Sequence, residues 1–258
     1  MNFFKLHQQA KPLLMANVWD VSSIQAAEET GYDAVGTSSA AIAAMYGYED
    51  GENISFSELR QLITRLQTLS KLPLSVDLEA GYSALPEKIV ENITILAKLG
   101  VVGVNLEDSI VQSGKRTLMD RSMFITRLQS IRKGLIENNV SMFINIRTDT
   151  FLLNIENALE ETILRGKCYA THGADGLFVP CIVTENDIST VVKAVPLPLN
   201  VMCMPNLPSF ETLARLGVKR ISMGNMVHVK LQCYLKEMLS DIYSEQSFKK
   251  IFHHENNR

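Results

Sequence analysis

Cysteine is scarce in this sequence, which has four in 258 residues and no pair at CxxC spacing. The sequence therefore predicts neither a disulfide framework nor a cysteine-ligated zinc site, and scattered thiols are typical of a reducing cytoplasm. Apolar runs stop well short of the roughly 20 residues that a membrane helix needs, so no membrane partner is expected. The net charge is −3 and no basic stripe occurs, which disfavours a nucleic-acid partner.

Motifs for nucleotide binding and for Schiff-base chemistry are also missing. The first predicted strand is not followed by GxGxxG, and no GxxxxGK[ST] segment occurs, so an open nucleotide-binding sheet is disfavoured. No lysine stands at the carboxyl end of a predicted strand, and Lys219 lies at the opposite end of the last one. A Schiff-base aldolase needs a desolvated lysine inside the site and is therefore disfavoured.

Eight short apolar runs, each followed by a stretch with helical spacing, indicate repeated βα units. Mostly apolar strands in such units form a parallel sheet covered by helices, and an α/β barrel typically needs about 250 residues. We therefore expect one (β/α)8 barrel of the TIM type over 1–258. A polar tail at 244–258 is expected to fray or to lie against a neighbouring subunit. The predicted strands are 13–17, 34–37, 74–77, 102–106, 142–146, 176–179, 199–202 and 220–223.

Two pairs of acidic residues stand at the ends of neighbouring predicted strands: Asp77 with Glu79, and Glu107 with Asp108. The carboxyl ends of barrel strands meet on one rim, where active sites form. Carboxylates gathered there repel one another unless a cation lies among them, and Mg²⁺ prefers oxygen ligands while it keeps several waters. The pattern predicts a magnesium site in which Asp77 is the direct ligand, whereas Glu79, Glu107 and Asp50 act through bound water.

A structural interpretation stays open for these acids. An aspartate after a strand is often only a helix N-cap, which suffices for Asp20 and for Asp149. For Asp77 and Glu79 taken alone, the sequence is equally compatible with a structural and a chemical role. The presence of the second acidic pair, Glu107 and Asp108, makes a metal site the favoured interpretation.

Cationic and hydroxyl side chains on the same predicted rim suggest a site for an anion. Arg147 could bind a substrate carboxylate through its planar fork, or it could only pair with Glu107 or Asp149. The run of small residues that contains Ser38 and Ser39 enters a predicted loop, where successive backbone N–H groups could form an anion-binding nest.

Later predicted strands and one polar segment add further candidates. Cys181 and Asn200 follow two of the later strands and are candidate substrate contacts, although cysteine more often fills a core. Lys115 and Arg116 lie in a polar segment after the strand 102–106 and could close over bound substrate, with Lys115 as a catalytic candidate. A solvated loop is the alternative for this segment.

Four segments together resemble the isocitrate lyase and phosphoenolpyruvate mutase superfamily, over nearly the whole chain, and most closely its uncharacterised mutase-like branch. The resemblance implies a magnesium-dependent barrel whose eighth helix, here 227–242, is exchanged between subunits, commonly in a homotetramer. It also implies cleavage or formation of C–C or P–C bonds next to the carbonyl of small α-keto or α-hydroxy acids. The segments are Gly36-Thr37-Ser38-Ser39, Val76-Asp77-Leu78-Glu79-Ala80-Gly81-Tyr82, Asn105-Leu106-Glu107-Asp108-Ser109 and Asn145-Ile146-Arg147-Thr148-Asp149.

The resemblance assigns roles to residues already singled out. Ser38 and Ser39 would contact the substrate carboxylate, and Arg147 would anchor the substrate. Asp77 would hold the metal directly, and the water-mediated shell would consist of Asp50, Glu79 and Glu107. Glu79 replaces an aspartate found in many relatives, which keeps the charge and lengthens the side chain by a methylene.

Two departures bear on the reaction. Lyases of this superfamily carry Lys-Lys-Cys-Gly-His in the lid after the fourth strand, but the segment 109–118 has no cysteine and no histidine. After the sixth strand, where relatives place histidine or glutamate, this sequence offers only the thiol of Cys181. Cleavage that depends on a lid cysteine is therefore not expected.

The sequence thus favours a magnesium-dependent lyase that acts on a small α-keto or α-hydroxy carboxylic acid. The expected route is C–C cleavage through a metal-stabilised enolate, and oxaloacetate-type decarboxylation is the simplest case because it needs no lid base. The catalytic candidates are Arg147, Glu107 and Lys115. Phosphonate P–C chemistry and a catalytically silent barrel that binds keto acids are the alternatives.

Overall fold

A nine-stranded parallel sheet forms the centre of the molecule, and the computed structural model describes residues 2–252. An antiparallel hairpin of two further strands stands outside this sheet. The strands are β1 (Leu13–Leu14), β2 (Ala16–Val18), β3 (Val35–Thr37), β4 (Leu74–Asp77), β5 (Gly103–Glu107), β6 (Ser109–Gln112), β7 (Lys115–Leu118), β8 (Phe143–Arg147), β9 (Gly176–Phe178), β10 (Leu199–Met202) and β11 (Arg220–Ser222).

The two ends of the sheet belong to one extended segment. The strand order is β1-β11-β10-β9-β8-β5-β4-β3-β2, so β1 pairs with the last strand while β2 pairs with β3. The two strands are separated only by Met15, and together they fill one position of a nearly closed barrel. The predicted (β/α)8 barrel is therefore confirmed, and each of the eight predicted strands overlaps an observed one.

The helices surround this sheet and bury their apolar faces against it. In α4, a capping box between Ser55 and Glu58 satisfies the first N–H groups, and Leu59, Ile63 and Leu66 form the buried face. The helices are α1 (Phe3–Leu6), α2 (Val21–Glu29), α3 (Ser39–Tyr46), α4 (Phe56–Leu69), α5 (Pro86–Lys98), α6 (Arg121–Glu137), α7 (Ala158–Thr171), α8 (Glu185–Ala194), α9 (Phe210–Leu216), α10 (Met226–Glu245) and α11 (Lys249–Phe252).

The short helix α1 closes the amino-terminal end of the barrel. Phe3 and Leu6 form a separate apolar cluster with Leu13, Met15 and Phe143, apart from the main core. Because α1 fills this end, the opposite end of the barrel is the one open to a ligand.

The last helices are unusual in their exposure. Along the 20 residues of α10 only His228 is buried, whereas Leu231, Leu235 and Leu239 are exposed. The predicted polar tail overlaps the end of α10, its residues 249–252 are helical, and 253–258 lie outside the described residues. Among the described helices, none is both long and apolar enough to cross a membrane.

Candidate active site

A cavity of about 280 Å³ opens at the carboxyl ends of the barrel strands. A larger groove of about 690 Å³ lies between α5 and α6, remote from the strand ends, and it brings together none of the predicted site residues. The residues of the smaller cavity that bear on chemistry are Ser39, Asp50, Asp77, Arg116, Arg147 and Cys181.

Asp77, the last residue of β4, lines this cavity, and one of its carboxylate oxygens has few hydrogen-bond partners. Its Oδ2 accepts hydrogen bonds from the Ser39 hydroxyl at 2.8 Å and from the Ser39 N–H at 3.3 Å. Among the described residues, its Oδ1 has only a long contact, 3.5 Å, with the Asn105 amide. The backbone is held as well, because the Asp77 N–H donates to the Thr37 hydroxyl at 2.8 Å. Asp77 is therefore a fixed carboxylate with an available oxygen.

Glu79 is buried two residues further on, in a strained turn. Its Oε2 accepts the Glu52 N–H at 2.7 Å, and its Oε1 accepts the Tyr82 hydroxyl at 3.2 Å. Glu79 itself has φ 50° and Tyr82 has φ 59°, a left-handed conformation that is costly outside glycine and is common at functional sites. Burial raises the pKa of Glu79 to about 8, and the nearby carboxylates of Asp50, Asp77 and Glu107 add to the effect. A cation beside it would favour its ionised form.

The two residues of the second acidic pair, Glu107 and Asp108, point into different environments. Glu107 turns toward the mouth of the barrel and forms ion pairs with Arg147, at 3.1 Å, and with Arg116. Burial raises the pKa of Glu107 to about 7, opposed by Arg147 and Arg116 and supported by Asp149. Asp108 points the other way and lies against α7, so the expectation that all four acids converge is wrong for it. The reason is strand geometry, since successive side chains at the end of β5 face opposite sides.

The predicted magnesium shell can be compared with these contacts. Within the described part of the chain, no three Asp, Glu, His or Cys side chains form a ready-made ligand set. Glu79 accepts hydrogen bonds on both oxygens, and Glu107 pairs with Arg116 through Oε1. Glu107 Oε2 is buried 3.1 Å from Arg147 Nη1 and accepts no hydrogen bond from the described residues. Asp77 keeps one available oxygen, and Asp50 lies exposed at the mouth. Magnesium usually takes one or two carboxylates and keeps several waters. The residues therefore fit a cation held directly by Asp77 alone, with the other acids acting through water.

Arg147 forms the opposite wall of the cavity. Its Nε lies 2.6 Å from Asp149 Oδ1, and its Nη1 lies 3.1 Å from Glu107 Oε2. Burial by itself would lower the pKa of Arg147, but these carboxylates outweigh it and raise the pKa above its usual value. The ion pair that the sequence left as an alternative is thus present, and it fixes a permanent positive charge beside Asp77.

The two serines sit at a helix start, where the sequence had suggested a loop. Ser38 is the N-cap of α3, and its hydroxyl accepts the Ala41 N–H at 3.4 Å. Both donors of Ser39 are directed to Asp77. Ser39 therefore positions the candidate metal ligand, and its role toward the substrate remains a prediction.

The remaining candidates differ in how they reach the cavity. Cys181 lines it with φ 66°, and burial raises the pKa of its thiol. Asn200 is buried below it and donates to the Ser222 hydroxyl at 3.1 Å, so it packs the barrel interior. Lys115 is exposed on the outer side of β7, whereas its neighbour Arg116 points inward.

Two residues outside the predicted site contribute to it. The sequence is compatible with Asp149 as a helix cap or as a partner of Arg147, and in the structure it is fully buried and pairs with both Arg147 and Arg116. Arg220 begins β11, at the end of the strand remote from the mouth, but its long side chain reaches the cavity and its Nη2 lies 3.4 Å from Asn105 Oδ1. Burial lowers the pKa of Arg220 to about 10, opposed by Asp77. No local pattern marks it, since only side-chain length brings it there.

Known proteins that match this chain belong to the superfamily that its four motifs resemble. The family model described as phosphoenolpyruvate phosphomutase matches residues 3–243. An uncharacterized protein of Mycobacterium tuberculosis (strain ATCC 25618 / H37Rv) is 32% identical over 226 residues, which are 88% of this chain and 83% of that one. An oxaloacetate decarboxylase of Pseudomonas entomophila (strain L48) is 28% identical over 227 residues, covering 83% of this chain and 74% of that one.

A solved structure from Burkholderia cenocepacia J2315, described as a "putative phosphonomutase", superimposes with a TM-score of 0.86. It is 35% identical and covers 92% of this chain and 97% of its own. The predicted superfamily is confirmed by these matches, and the chain belongs to the phosphoenolpyruvate phosphomutase family.

Proposed function

We propose that this protein is a magnesium-dependent lyase that acts on a small α-keto or α-hydroxy carboxylic acid, with decarboxylation of an oxaloacetate-like acid as the preferred reaction. The observation that carries the proposal is the available Oδ1 of Asp77 in a cavity that Arg147 also lines. A cavity of about 280 Å³ suits a small acid and is below the usual range for drug-sized ligands. The curated relative from Pseudomonas entomophila, named an oxaloacetate decarboxylase, supports the choice of reaction.

The charges of the cavity support an anionic substrate. Three arginines line it, Arg116, Arg147 and Arg220, and they outnumber its two carboxylates, Asp50 and Asp77. Because Glu107 and Asp149 orient the Arg147 guanidinium, it could receive a planar carboxylate without first losing side-chain freedom. Arg147 is therefore the proposed substrate anchor.

For this reaction the protein mainly has to bind the substrate and stabilise the negative charge that develops on it. A divalent cation at Asp77, when bound, would act as a Lewis acid toward negative charge that develops on the substrate oxygen. Cleavage of the C3–C4 bond releases CO₂ and leaves the electron pair on the remaining keto acid, which then takes up one proton at C3. Arg147 holds the carboxylate through this change, and the β6–β7 hairpin limits access of water at the mouth.

Phosphonate chemistry is the second candidate. The Burkholderia cenocepacia structure described as a "putative phosphonomutase" has the higher identity, 35%, and nearly complete coverage. An arginine-lined cavity suits a phosphonate dianion as well as a carboxylate. The two candidates differ in the bond that breaks, C–C in one and P–C in the other.

Assays of purified protein with both substrate classes test this proposal. With Mg²⁺ we expect turnover of an oxaloacetate-type acid, loss of it with chelator, and a decrease of at least about 100-fold in Asp77→Asn. The matched control is Asp33→Asn, which neutralises an exposed aspartate outside the cavity and should retain activity. Chelator-resistant turnover that Asp77→Asn leaves unchanged would contradict the proposal. Oxalate binding without turnover of any acid would identify a silent barrel.

A homo-oligomer is part of the same proposal. The exposed apolar side chains of α10, among them Leu231, Leu235 and Leu239, form a surface that a monomer would leave in water. A second copy of the chain is the partner that we propose for it, and the superfamily resemblance suggests exchange of this helix between subunits.

A further inference from the structure

The β6–β7 hairpin presents alternate side chains to opposite sides. Its turn residues Ser113 and Gly114 both have positive φ, 49° and 73°, as a tight two-residue hairpin requires. Along β7 the exposure alternates, so that Lys115 is exposed while Arg116 is partly buried. Arg116 is thus the charged residue that the hairpin turns toward the barrel mouth.

The guanidinium of Arg116 joins three carboxylates from three separate segments. It pairs with Glu107 at the end of β5, lies 3.3 Å from Asp149 Oδ2 after β8, and lies 3.4 Å from Asp50 Oδ2 in the loop after α3. Its Nη1 also donates to the Ser109 hydroxyl at 2.9 Å. Arg116 therefore supplies positive charge to acids that belong to the candidate metal shell.

The other arginine of the cluster, Arg147, shares only part of this role. It pairs with Asp149 and with the second oxygen of Glu107. Asp50 pairs with Arg116 and with no other cationic side chain among the described residues. Loss of the Arg116 charge would therefore leave Asp50, which lines the same cavity as Asp77, without a cationic partner, and would leave Glu107 with Arg147 alone.

We propose that Arg116 is a positioning residue that competes with the divalent cation for these acids and thereby sets the metal affinity of the site. The inference rests on the metal site of the proposed function. Two cations close to one set of carboxylates weaken each other's binding by direct repulsion. The waters that would link the metal to Glu107 and Asp50 also need the oxygens that Arg116 occupies. Binding free energies are reciprocal, so a cation that weakens the Arg116 contacts also loosens the hairpin.

The hairpin itself is held by little else near its tip. Val111 lies against Gly51, where an added Cβ would come within 2.9 Å of the valine methyl. The Ser109 hydroxyl donates to Asp149 at 2.5 Å at the base of the hairpin. Between these points and the turn, Arg116 is the charged residue that holds the hairpin to the barrel. Release of its guanidinium should therefore speed amide exchange at 112–117.

Direct measurement of Mn²⁺ binding to the full-length protein, by electron paramagnetic resonance of the free ion, tests the inference. Arg116→Gln should bind Mn²⁺ at least ten-fold more tightly than the natural chain, because a competing charge is removed. Arg116→Lys keeps the charge and should stay within about three-fold of the natural chain. The matched control is Lys115→Gln, which removes the same charge from the outward-facing neighbour and should change the affinity less than two-fold. Thermal unfolding of each variant checks that the barrel is intact.

Hydrogen exchange of the natural chain gives a second readout that needs no variant. Mn²⁺ should speed amide exchange at 112–117, and protection there, or no change, would overturn the inference. Equal or weaker Mn²⁺ binding by Arg116→Gln would overturn it too, as would Arg116→Lys binding as tightly as Arg116→Gln. If the natural chain binds Mn²⁺ through Asp77 but Arg116→Gln binds no more tightly, only this inference fails. If neither chain binds Mn²⁺, the metal site of the proposed function fails with it.

Discussion

Asp108 and Arg165 form an ion pair, with Nη1 and Oδ2 at 3.0 Å, that is closed off from solvent. The same Asp108 carboxylate accepts the hydroxyls of Tyr169 and Thr148, each at 2.7 Å. Its Oδ1 accepts the Asp149 N–H at 3.3 Å. Asp108 therefore ties the end of β5 to α7 and fixes the backbone from which Asp149 meets the arginines of the site.

Removal of the Asp108 charge should destabilise the protein strongly. In Asp108→Asn the buried Arg165 guanidinium loses one of its two carboxylates, since Glu161 Oε1 still lies 2.8 Å from Arg165 Nε. Loss of a buried partner typically costs 3–5 kcal/mol, and the pair with Glu161 offsets part of this, so we expect a loss of about 2–3 kcal/mol. Urea unfolding measures it. The control is Arg215→Gln, which breaks the exposed pair with Glu185 at 3.7 Å and should cost about 0–1 kcal/mol. A loss below about 1 kcal/mol for Asp108→Asn would show that the pair is dispensable.

The barrel could be predicted from sequence because its signal repeats. Each βα unit carries the same apolar strand and helical spacing, so errors at single boundaries do not change the fold. The hairpin and α1 break this repetition and were missed. The strands of the hairpin mix polar and apolar residues and are half exposed, and α1 is only four residues long.

The site was predicted less completely, for a different physical reason. The rim positions of Asp77, Glu107 and Arg147 follow from strand ends, which a sequence reveals. The direction of a side chain depends on strand parity, and this separates Glu107 from Asp108 and Arg116 from Lys115. For Glu107 and Asp108, the alternation of side chains along a strand is enough to predict that they face opposite sides. For Lys115 and Arg116 it is not enough, because the register of the hairpin is known only from the folded chain.

Cys181 should contribute to binding and not to covalent chemistry. Burial raises the pKa of its thiol, with Asp149 acting in the same direction and Arg147 opposing, so the reactive thiolate is suppressed near neutral pH. We expect Cys181→Ser to keep kcat within about three-fold while KM changes. Iodoacetamide should modify Cys181 more slowly than the exposed Cys203, as peptide mass spectrometry would show. Loss of turnover in Cys181→Ser with unchanged KM would contradict this assignment.

The apolar surface of α10 should mediate self-association. Leu231 and Leu235 lie one helical turn apart, with exposed fractions of 50% and 47%. Light scattering should give the natural chain a mass that is a multiple of 28.8 kDa, and Leu231→Asp with Leu235→Asp should lower it. The control is Ile136→Asp on α6, which is also exposed and should leave the mass unchanged. A natural chain that is monomeric at micromolar concentration would contradict the proposed oligomer.

Protonation of His7 should limit stability in mild acid. The ring stacks on Phe143 at 4.1 Å between centroids, with Nδ1 3.0 Å from the Phe3 carbonyl oxygen. Burial lowers the pKa of His7 to about 4, helped by Arg220 and opposed by the Phe3 carbonyl. Above about pH 6.5 the ring is neutral in both states, so this residue gives no pH dependence. Between about pH 6.5 and pH 4 the unfolded chain takes up a proton that the folded chain excludes, and the free energy of unfolding falls by about 3 kcal/mol in total.

The variant His7→Phe lacks this contribution. The unfolding free energy of the natural chain minus that of His7→Phe should therefore fall as the pH is lowered from about 6.5 to about 4, and it should stay constant above about pH 6.5. Urea unfolding of both chains at several pH values measures this difference. Parallel curves from pH 7.5 to pH 4 would mean that His7 is not held neutral by its burial.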